Sequence, residues 1–298
     1  MPTGWRIWVL GARPRTLPAA IAPVVVGTAA AAAGLATGGH VIWWRFTCAL
    51  LVALFVQVAT NFANDYSDGR RGTDDPGERV GPPRLVGNGL ASPGDVKRAM
   101  LVCFGLTVLA GLPLVLFVDW RLALVGIAAV AAGWFYTGGP RPYGYAGLGE
   151  AFVFVFFGLV ATVGSTFVQL EKVTALSVVA GSAMGCLATA LLVVNNLRDI
   201  PGDTRAGKRT LAVRLGAPRT RTLYVVLLVV PVLLVPVMAA VGGRPAVALA
   251  LVAIVPGRKA VLEVLEGAAG PRLIPVLART GLVQLVYAVL LSAGMLIH

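Results

Sequence analysis

Two short acidic clusters hold the residues of this sequence that can do chemistry. The first is Asn61-Phe62-Ala63-Asn64-Asp65-Tyr66-Ser67-Asp68, and the second is Asn195-Asn196-Leu197-Arg198-Asp199-Ile200-Pro201-Gly202-Asp203. In the first, polar residues recur at i, i+3, i+4 and i+7, which is one stripe on a helix. In the second, Asn195 or Asn196, Asp199 and Asp203 again share a face, and Pro201 is expected to unwind the last turn. Each cluster runs on into an Asp-x-Arg-x-Gly pattern, Asp68 to Gly72 and Asp203 to Gly207. Four aspartates gathered at one place repel one another and are costly to desolvate. A hard divalent cation relieves both costs. Mg²⁺ takes oxygen ligands, usually one or two carboxylates with substrate phosphates completing its shell. Neighbouring arginines and lysines would neutralise the phosphates. For one aspartate alone, local pairing with arginine at a helix end is the plainer reading. Two matching stripes favour the shared site.

The elements that must position these stripes follow from composition. Of 298 residues, 57% are hydrophobic and 13% charged, with a net charge of +12. A soluble domain carries roughly 25% charged residues, so a soluble enzyme and a disordered chain are both excluded. The expected fold class is all-α, a polytopic membrane protein of about nine spans in a single domain over residues 1–298. The spans are placed near Leu17–Ala36, Phe46–Asn64, Ala99–Val118, Leu122–Thr137, Ala151–Leu170, Leu176–Asn196, Leu223–Val241, Pro245–Gly257 and Val276–Ile297. Pro256 and Gly257 shorten the eighth, which is expected to continue as an interfacial helix through Glu266. The clusters end the second and sixth spans, so their helices run in the same direction. That predicts a parallel internal repeat of four helices plus one extra span.

Charge sets the orientation. With the N-terminus inside, only Arg45, Arg121, Lys172 and Arg244 of the 25 basic residues fall outside. This bias puts the N-terminus and both clusters at the cytoplasmic face of a cell membrane and His298 outside. Two long polar loops are expected there, Asp65–Arg98 and Arg198–Thr222, dense in Asp, Arg, Lys, Gly and Pro. Carboxylates and basic loops at a membrane face call for a diphosphate, and the lipid setting calls for a hydrophobic tail. A polyprenyl diphosphate fits both, and nucleic acid is not needed to explain the charge. His40 and His298 are the only histidines, so a Ser-His-Asp triad or a His-rich zinc site has nothing to be built from. Cys48, Cys103 and Cys186 lie in apolar runs without CxxC spacing and read as helix-packing residues.

Asn64-Asp65-Tyr66-Ser67-Asp68 and Asp199-Ile200-Pro201-Gly202-Asp203, on helices two and six, resemble the paired motifs of the UbiA-type membrane prenyltransferase superfamily. The resemblance covers essentially the whole chain. The blocks Tyr136 to Glu150 and Asn195 to Gly216 resemble the branch that prenylates 1,4-dihydroxy-2-naphthoate in menaquinone biosynthesis. The resemblance implies a Mg²⁺-dependent transferase. It would join a polyprenyl group to 1,4-dihydroxy-2-naphthoate with loss of CO₂, giving demethylmenaquinone. Asp65, Asp68, Asn64, Asp199 and Asp203 would hold the metal, with Asn61 and Asn196 assisting. Lys208 and Arg209 are the first choices for phosphate contacts, ahead of Arg70, Arg71, Arg84 and Arg198. Asn195 and Arg141 complete the substrate set. Tyr136, Tyr143 and Tyr145 are candidates to shield a cation or orient the acceptor, and Phe152 and Phe156 to line a prenyl tunnel. Glu150 reads as a helix N-terminal acid or a site residue. Arg13 and Arg15 are alternatives for the acceptor carboxylate or for membrane anchoring. Gly72 stands where many superfamily members carry a further Asp; either Asp74 substitutes or the site uses Asn61 and Asn64 instead.

Three rivals have weaker support. CDP-alcohol phosphotransferases share the start of the Asp65-x-x-Asp68-Gly69 pattern but lack a second cluster. A cation-coupled transporter would place its carboxylates near mid-membrane. Within the superfamily, 4-hydroxybenzoate or homogentisate is the competing acceptor.

Overall fold

The computed structural model describes residues 4–35, 39–72 and 83–297; Asp74 lies outside the described residues. The described residues are helical and contain no strand. The chain starts with α1 (Trp5–Ala12), a 3-10 turn at Pro14–Thr16, and α2 (Pro18–Ala33). Then come α3 (Trp43–Arg70), α4 (Pro93–Phe117) and α5 (Leu122–Phe135). One continuous rod follows, made of α6 (Gly149–Val153), a π-helical segment (Phe154–Val160) and α7 (Ala161–Leu170). The second half holds α8 (Ala175–Arg205), α9 (Leu211–Gly242), a 3-10 segment (Pro245–Ala253), α10 (Ile254–Leu265) and α11 (Leu273–Leu296).

Six of these helical rods are long and apolar enough to cross a membrane, and α1 with α2 makes a seventh if the pair, bent by 49°, counts as one span. The protein is a multi-pass membrane protein. Of the nine expected spans, two fall short by length: α5 has 14 residues, and the Pro245–Leu265 stretch is part 3-10 helix and part α10. The most extensive helix pairs are α3 with α4 and α8 with α9, the equivalent pairs of the expected four-helix repeat.

Two expectations are corrected. The polar loops are shorter than the sequence suggested, because α3 runs to Arg70 and α8 to Arg205. Pro201 does not unwind α8, which passes through it for four more residues. Proline removes one hydrogen bond and crowds the preceding turn, and so close to the helix end little ladder remains to be lost. The next loop is brief, since Thr210 accepts a bond from the Val213 N–H and starts α9.

Close approach of helices depends on a few glycines. A Cβ on Gly158 would lie 2.3 Å from the Gly185 Cα, so the π-helical segment presses directly on α8. A Cβ on Gly27 would lie 2.2 Å from the Thr162 carbonyl oxygen, so α2 and α7 are just as close. In lipid such contacts replace the missing hydrophobic drive for helix association. The fully buried Tyr224 and Tyr287 satisfy their hydroxyls through Thr280 at 2.7 Å and the Pro231 carbonyl at 2.8 Å.

Candidate active site

The ends of α3 and α8 face one cavity of about 2600 Å³. Asn64, Asp68, Asn195, Asn196, Arg198, Asp199, Asp203 and Lys208 line its polar end, and Asn61, Arg84, Tyr136 and Tyr143 also face it. The helix continuation past the expected ends keeps each stripe on a single rod, so spacing in sequence becomes spacing in space.

Asp68 is the most heavily engaged group. It is 3% exposed. Tyr145 donates its hydroxyl to Asp68 Oδ1 at 2.6 Å, Lys208 Nζ lies 3.2 Å from Oδ2, and Arg84 Nη2 lies 3.9 Å from the same oxygen. Lys208 comes from the loop after α8 and therefore ties the second half of the repeat to the first. Its ammonium also sits 4.7 Å from the centre of the Tyr145 ring, with the Arg71 guanidinium 5.3 Å from that centre. Burial opposes the charge of Lys208, but Asp68, Tyr145 and Asp203 outweigh it and push the ammonium pKa up. The loop geometry that delivers Lys208 needs Gly207 at φ 71°, and the Lys208 N–H donates to the Asp203 carbonyl at 2.8 Å.

The α8 carboxylates are held by near neighbours in the chain. Asp199 takes two bonds of 2.7 Å from the side chain of its own neighbour, Arg198. The Asp203 carboxylate accepts a long bond of 3.4 Å from Thr210 and feels the charge of Lys208. Asn196 donates to buried Glu150 at 2.9 Å, which fixes its amide and leaves its carbonyl oxygen towards other partners. Asn64 is fixed the other way round: its amide oxygen accepts from the Thr137 hydroxyl at 2.9 Å.

Several predicted residues stand elsewhere. Asp65 is 1% exposed and is not among the residues lining the cavity. It lies 3.8 Å from Arg13 Nη2 and accepts the Val86 N–H at 3.4 Å. Asn61 lines the cavity, but its amide donates to the Ala12 carbonyl at 2.9 Å and to Thr16 at 3.0 Å, which holds the bent N-terminal segment in place. Arg70 is exposed and donates to Tyr66. Arg141 and Arg209 are exposed and do not line the cavity. Of the Lys208-Arg209 pair, only the lysine lines the cavity, while the Arg209 N–H donates to the Tyr145 carbonyl at 3.1 Å.

Sequence reading underrated Tyr145 and Arg71, and it did not single out Thr137. Arg71 donates to the carbonyls of Thr137 and Gly139, which anchors the loop after α5 to the end of α3. An aromatic row leads from this polar end. Tyr136 meets Tyr143 edge-on at 5.5 Å, Tyr143 stacks on Phe152 at 3.9 Å, and Phe152 stacks on Phe156 at 6.1 Å. Burial raises the phenol pKa of Tyr143, in the loop after α5.

Among the described residues no three acid, histidine or cysteine side chains stand close enough to hold an ion unaided. The donor set is nevertheless all hard oxygen, from carboxylates and amides on two facing helices. Such a site suits a divalent ion that shares its shell with phosphate oxygens.

Residues 24–265 match the UbiA prenyltransferase family. The chain is 49% identical to the 1,4-dihydroxy-2-naphthoate octaprenyltransferase of Mycobacterium tuberculosis (strain ATCC 25618 / H37Rv), over 97% of this chain and 96% of that one. It is 38% identical to the Escherichia coli (strain K12) protein of the same description, over 74% and 72% of the two chains. Its fold matches that of a UbiA homolog from Archaeoglobus fulgidus bound to DMAPP and Mg²⁺, with a TM-score of 0.66 at 16% identity, over 98% and 99% of the chains. This chain belongs to the UbiA prenyltransferase family of membrane enzymes, in the branch of the 1,4-dihydroxy-2-naphthoate polyprenyltransferases.

Proposed function

We propose that the protein transfers a polyprenyl group from polyprenyl diphosphate to 1,4-dihydroxy-2-naphthoate, with loss of CO₂, as a single domain over residues 1–298. The observation that carries this reading is the convergence of two acidic stripes and Lys208 on the polar end of one otherwise apolar cavity. That arrangement matches a molecule with a charged head and a hydrocarbon tail. The identity of 49% with a naphthoate octaprenyltransferase supports the choice of acceptor.

Asp68, Asp199, Asp203, Asn64 and Asn196 would hold Mg²⁺ there. The metal would neutralise the diphosphate and stabilise the charge that it gains on leaving. The other work falls to this chain. Lys208, Arg84 and Arg198 provide cations at the same end and offset the charge of a diphosphate bound there. The bond between the prenyl C1 and the diphosphate oxygen breaks, and its electron pair stays with the diphosphate. The electron-rich naphthoate carbon bearing the carboxylate forms the new bond to C1. The bond to the carboxylate then breaks, CO₂ leaves, and its electron pair restores the aromatic ring. Neutral Tyr136 and Tyr143 present ring faces and edges to the space where positive charge develops. Asp65 with Arg13, and Asn61 with Thr16, position the N-terminal segment against this end.

The polar end sits at the cytoplasmic face of the cell membrane in this reading, with the C-terminal end of α11 outside. Among the described residues Arg45, Glu171 and Arg244 gather at the other end. There Arg45 meets Glu171 at 2.9 Å and Arg244 reaches the Ala33 carbonyl at 3.2 Å.

The test is an assay of purified protein with labelled polyprenyl diphosphate, 1,4-dihydroxy-2-naphthoate and Mg²⁺. EDTA-sensitive formation of prenylated, decarboxylated product is expected. Folded protein that makes none refutes the reading, and preference for 4-hydroxybenzoate or homogentisate refutes the acceptor.

A further inference from the structure

Tyr145 sits in a rigid setting, the 3-10 turn Tyr143–Ala146 of the loop after α5. That turn is pressed against Tyr136: the Gly144 N–H donates to the Tyr136 carbonyl at 3.0 Å, and a Cβ on Gly144 would lie 2.6 Å from the same oxygen. The Tyr145 N–H donates to the Pro142 carbonyl at 3.1 Å, and Gly147 at φ 77° closes the turn. Backbone held at so many points fixes the direction of the side chain it carries.

From this turn Tyr145 holds the Asp68–Lys208 pair in three ways. Its hydroxyl donates to Asp68 Oδ1 at 2.6 Å, a short, charge-assisted bond to a buried carboxylate. Its ring centre lies 4.7 Å from the Lys208 ammonium. Its carbonyl accepts the Arg209 N–H at 3.1 Å, which pins the loop that delivers the lysine. A part in shielding an allylic cation, the expectation from sequence, fits this geometry poorly. Lys208 and the Arg71 guanidinium, 5.3 Å away, already lie over the ring, and two positive charges there repel a third. That part is left to Tyr136 and Tyr143. Each carboxylate oxygen offers two lone pairs. The Tyr145 hydroxyl takes one on Oδ1 and so sets where the other points. Groups that hydrogen-bond a ligating carboxylate in this way fix its orientation and tune the affinity of a metal site.

We propose that Tyr145 is a positioning residue of the metal and diphosphate site. Its hydroxyl orients Asp68 for a divalent ion, and its ring keeps the Lys208 ammonium beside that carboxylate for the diphosphate. This inference rests on the proposed metal and donor and adds a residue that acts on both through its neighbours.

Tyr145→Phe removes one oxygen and keeps the ring, and Tyr145→Leu removes both. The experiment measures Mn²⁺ binding to the purified full-length protein by electron paramagnetic resonance, with inorganic pyrophosphate present and no prenyl donor, after melting profiles have been compared. Tyr145→Phe is expected to weaken Mn²⁺ binding by about tenfold or more and to leave pyrophosphate binding without metal unchanged. Tyr145→Leu is expected to weaken both. In prenyl transfer, kcat of Tyr145→Phe should return towards the wild-type value as Mg²⁺ is raised. Unchanged Mn²⁺ affinity in Tyr145→Phe overturns the part of the hydroxyl, and normal pyrophosphate binding in folded Tyr145→Leu overturns the part of the ring. A Tyr145→Leu that binds both probes normally but loses kcat at every Mg²⁺ concentration restores the cation shield. The Tyr145→Phe arm stands by itself if Tyr145→Leu melts early. Wild type that binds no Mn²⁺ with pyrophosphate overturns the proposed metal site instead, so the two failures are distinguishable.

Discussion

The ends of α3 and α8 are equivalent in the repeat, yet they hold their carboxylates differently. On α3, Asp65 faces Arg13 and Asp68 faces Tyr145, Lys208 and Arg84, all drawn from distant parts of the chain. On α8, Asp199 is held by two short bonds from its own neighbour, and Asp203 by a long bond from Thr210 and the charge of nearby Lys208. The α3 end is therefore both a structural junction and a site, and the α8 end is chiefly a site. The repeated motif thus joins distant segments at one end and near neighbours at the other, while both ends face the cavity.

Four predictions sharpen or break this contrast. The largest effect is expected where structure and site coincide. Asp65→Asn leaves Arg13 without its carboxylate in a buried setting and is expected to cost about 3 kcal/mol of stability, read as a lowered melting temperature in detergent. Sequence reading alone would expect a purely catalytic loss at Asp65, so an unshifted melt with abolished turnover would restore that view. Asp203→Asn is the counterpart on α8. Its kcat/KM should fall by about 10²–10³-fold with little change in melting. A large drop in stability there would erase the difference between the two ends.

Lys208→Met comes next, at about 2 kcal/mol of stability measured without metal. Its pH dependence has a definite sign. The folded protein holds the Lys208 proton more tightly than the unfolded chain does. The contribution is therefore full below the ordinary lysine range near ~10.4 and is lost as pH rises through the raised value. The melting gap between wild type and Lys208→Met should persist at pH 9 and close only in strong alkali. A gap already closed at pH 9 would contradict the ion pair with Asp68. The smallest effect is expected at Arg70→Ala and Arg209→Ala, within about 0.5 kcal/mol in stability and with near wild-type turnover. A large loss of activity in either would return these exposed arginines to the phosphate site.

Much of the site was legible because helical spacing is rigid. Asn64, Asp68, Asn196, Asp199 and Asp203 reach one cavity since each stripe repeats at the period of the helix that carries it. The arginines were not legible in this way. Arg70, Arg71 and Arg84 are all near the first stripe, but Arg70 turns outward to Tyr66, Arg71 ties down the loop after α5, and only Arg84 approaches Asp68. Long flexible side chains beyond a helix end have no periodicity to fix their direction. Tyr145 was equally hidden, because its bond to Asp68 joins residues 77 positions apart. The helix ends were misjudged for a related reason. Polar residues look like loop in a membrane sequence, whereas α3 and α8 carry them a full turn or more past the apolar run.

The amino-acid sequence by itself determined that this chain crosses a membrane repeatedly, that its charges gather in a few segments between apolar runs, and that two acidic stripes repeat at helical spacing. Composition and periodicity are summed over many residues, so they survive without coordinates. Only the tertiary structure decided which carboxylate is locked in an ion pair, that Lys208 links the two halves, and that Tyr145 bonds to Asp68. Those outcomes depend on single close approaches between side chains from distant parts of the chain.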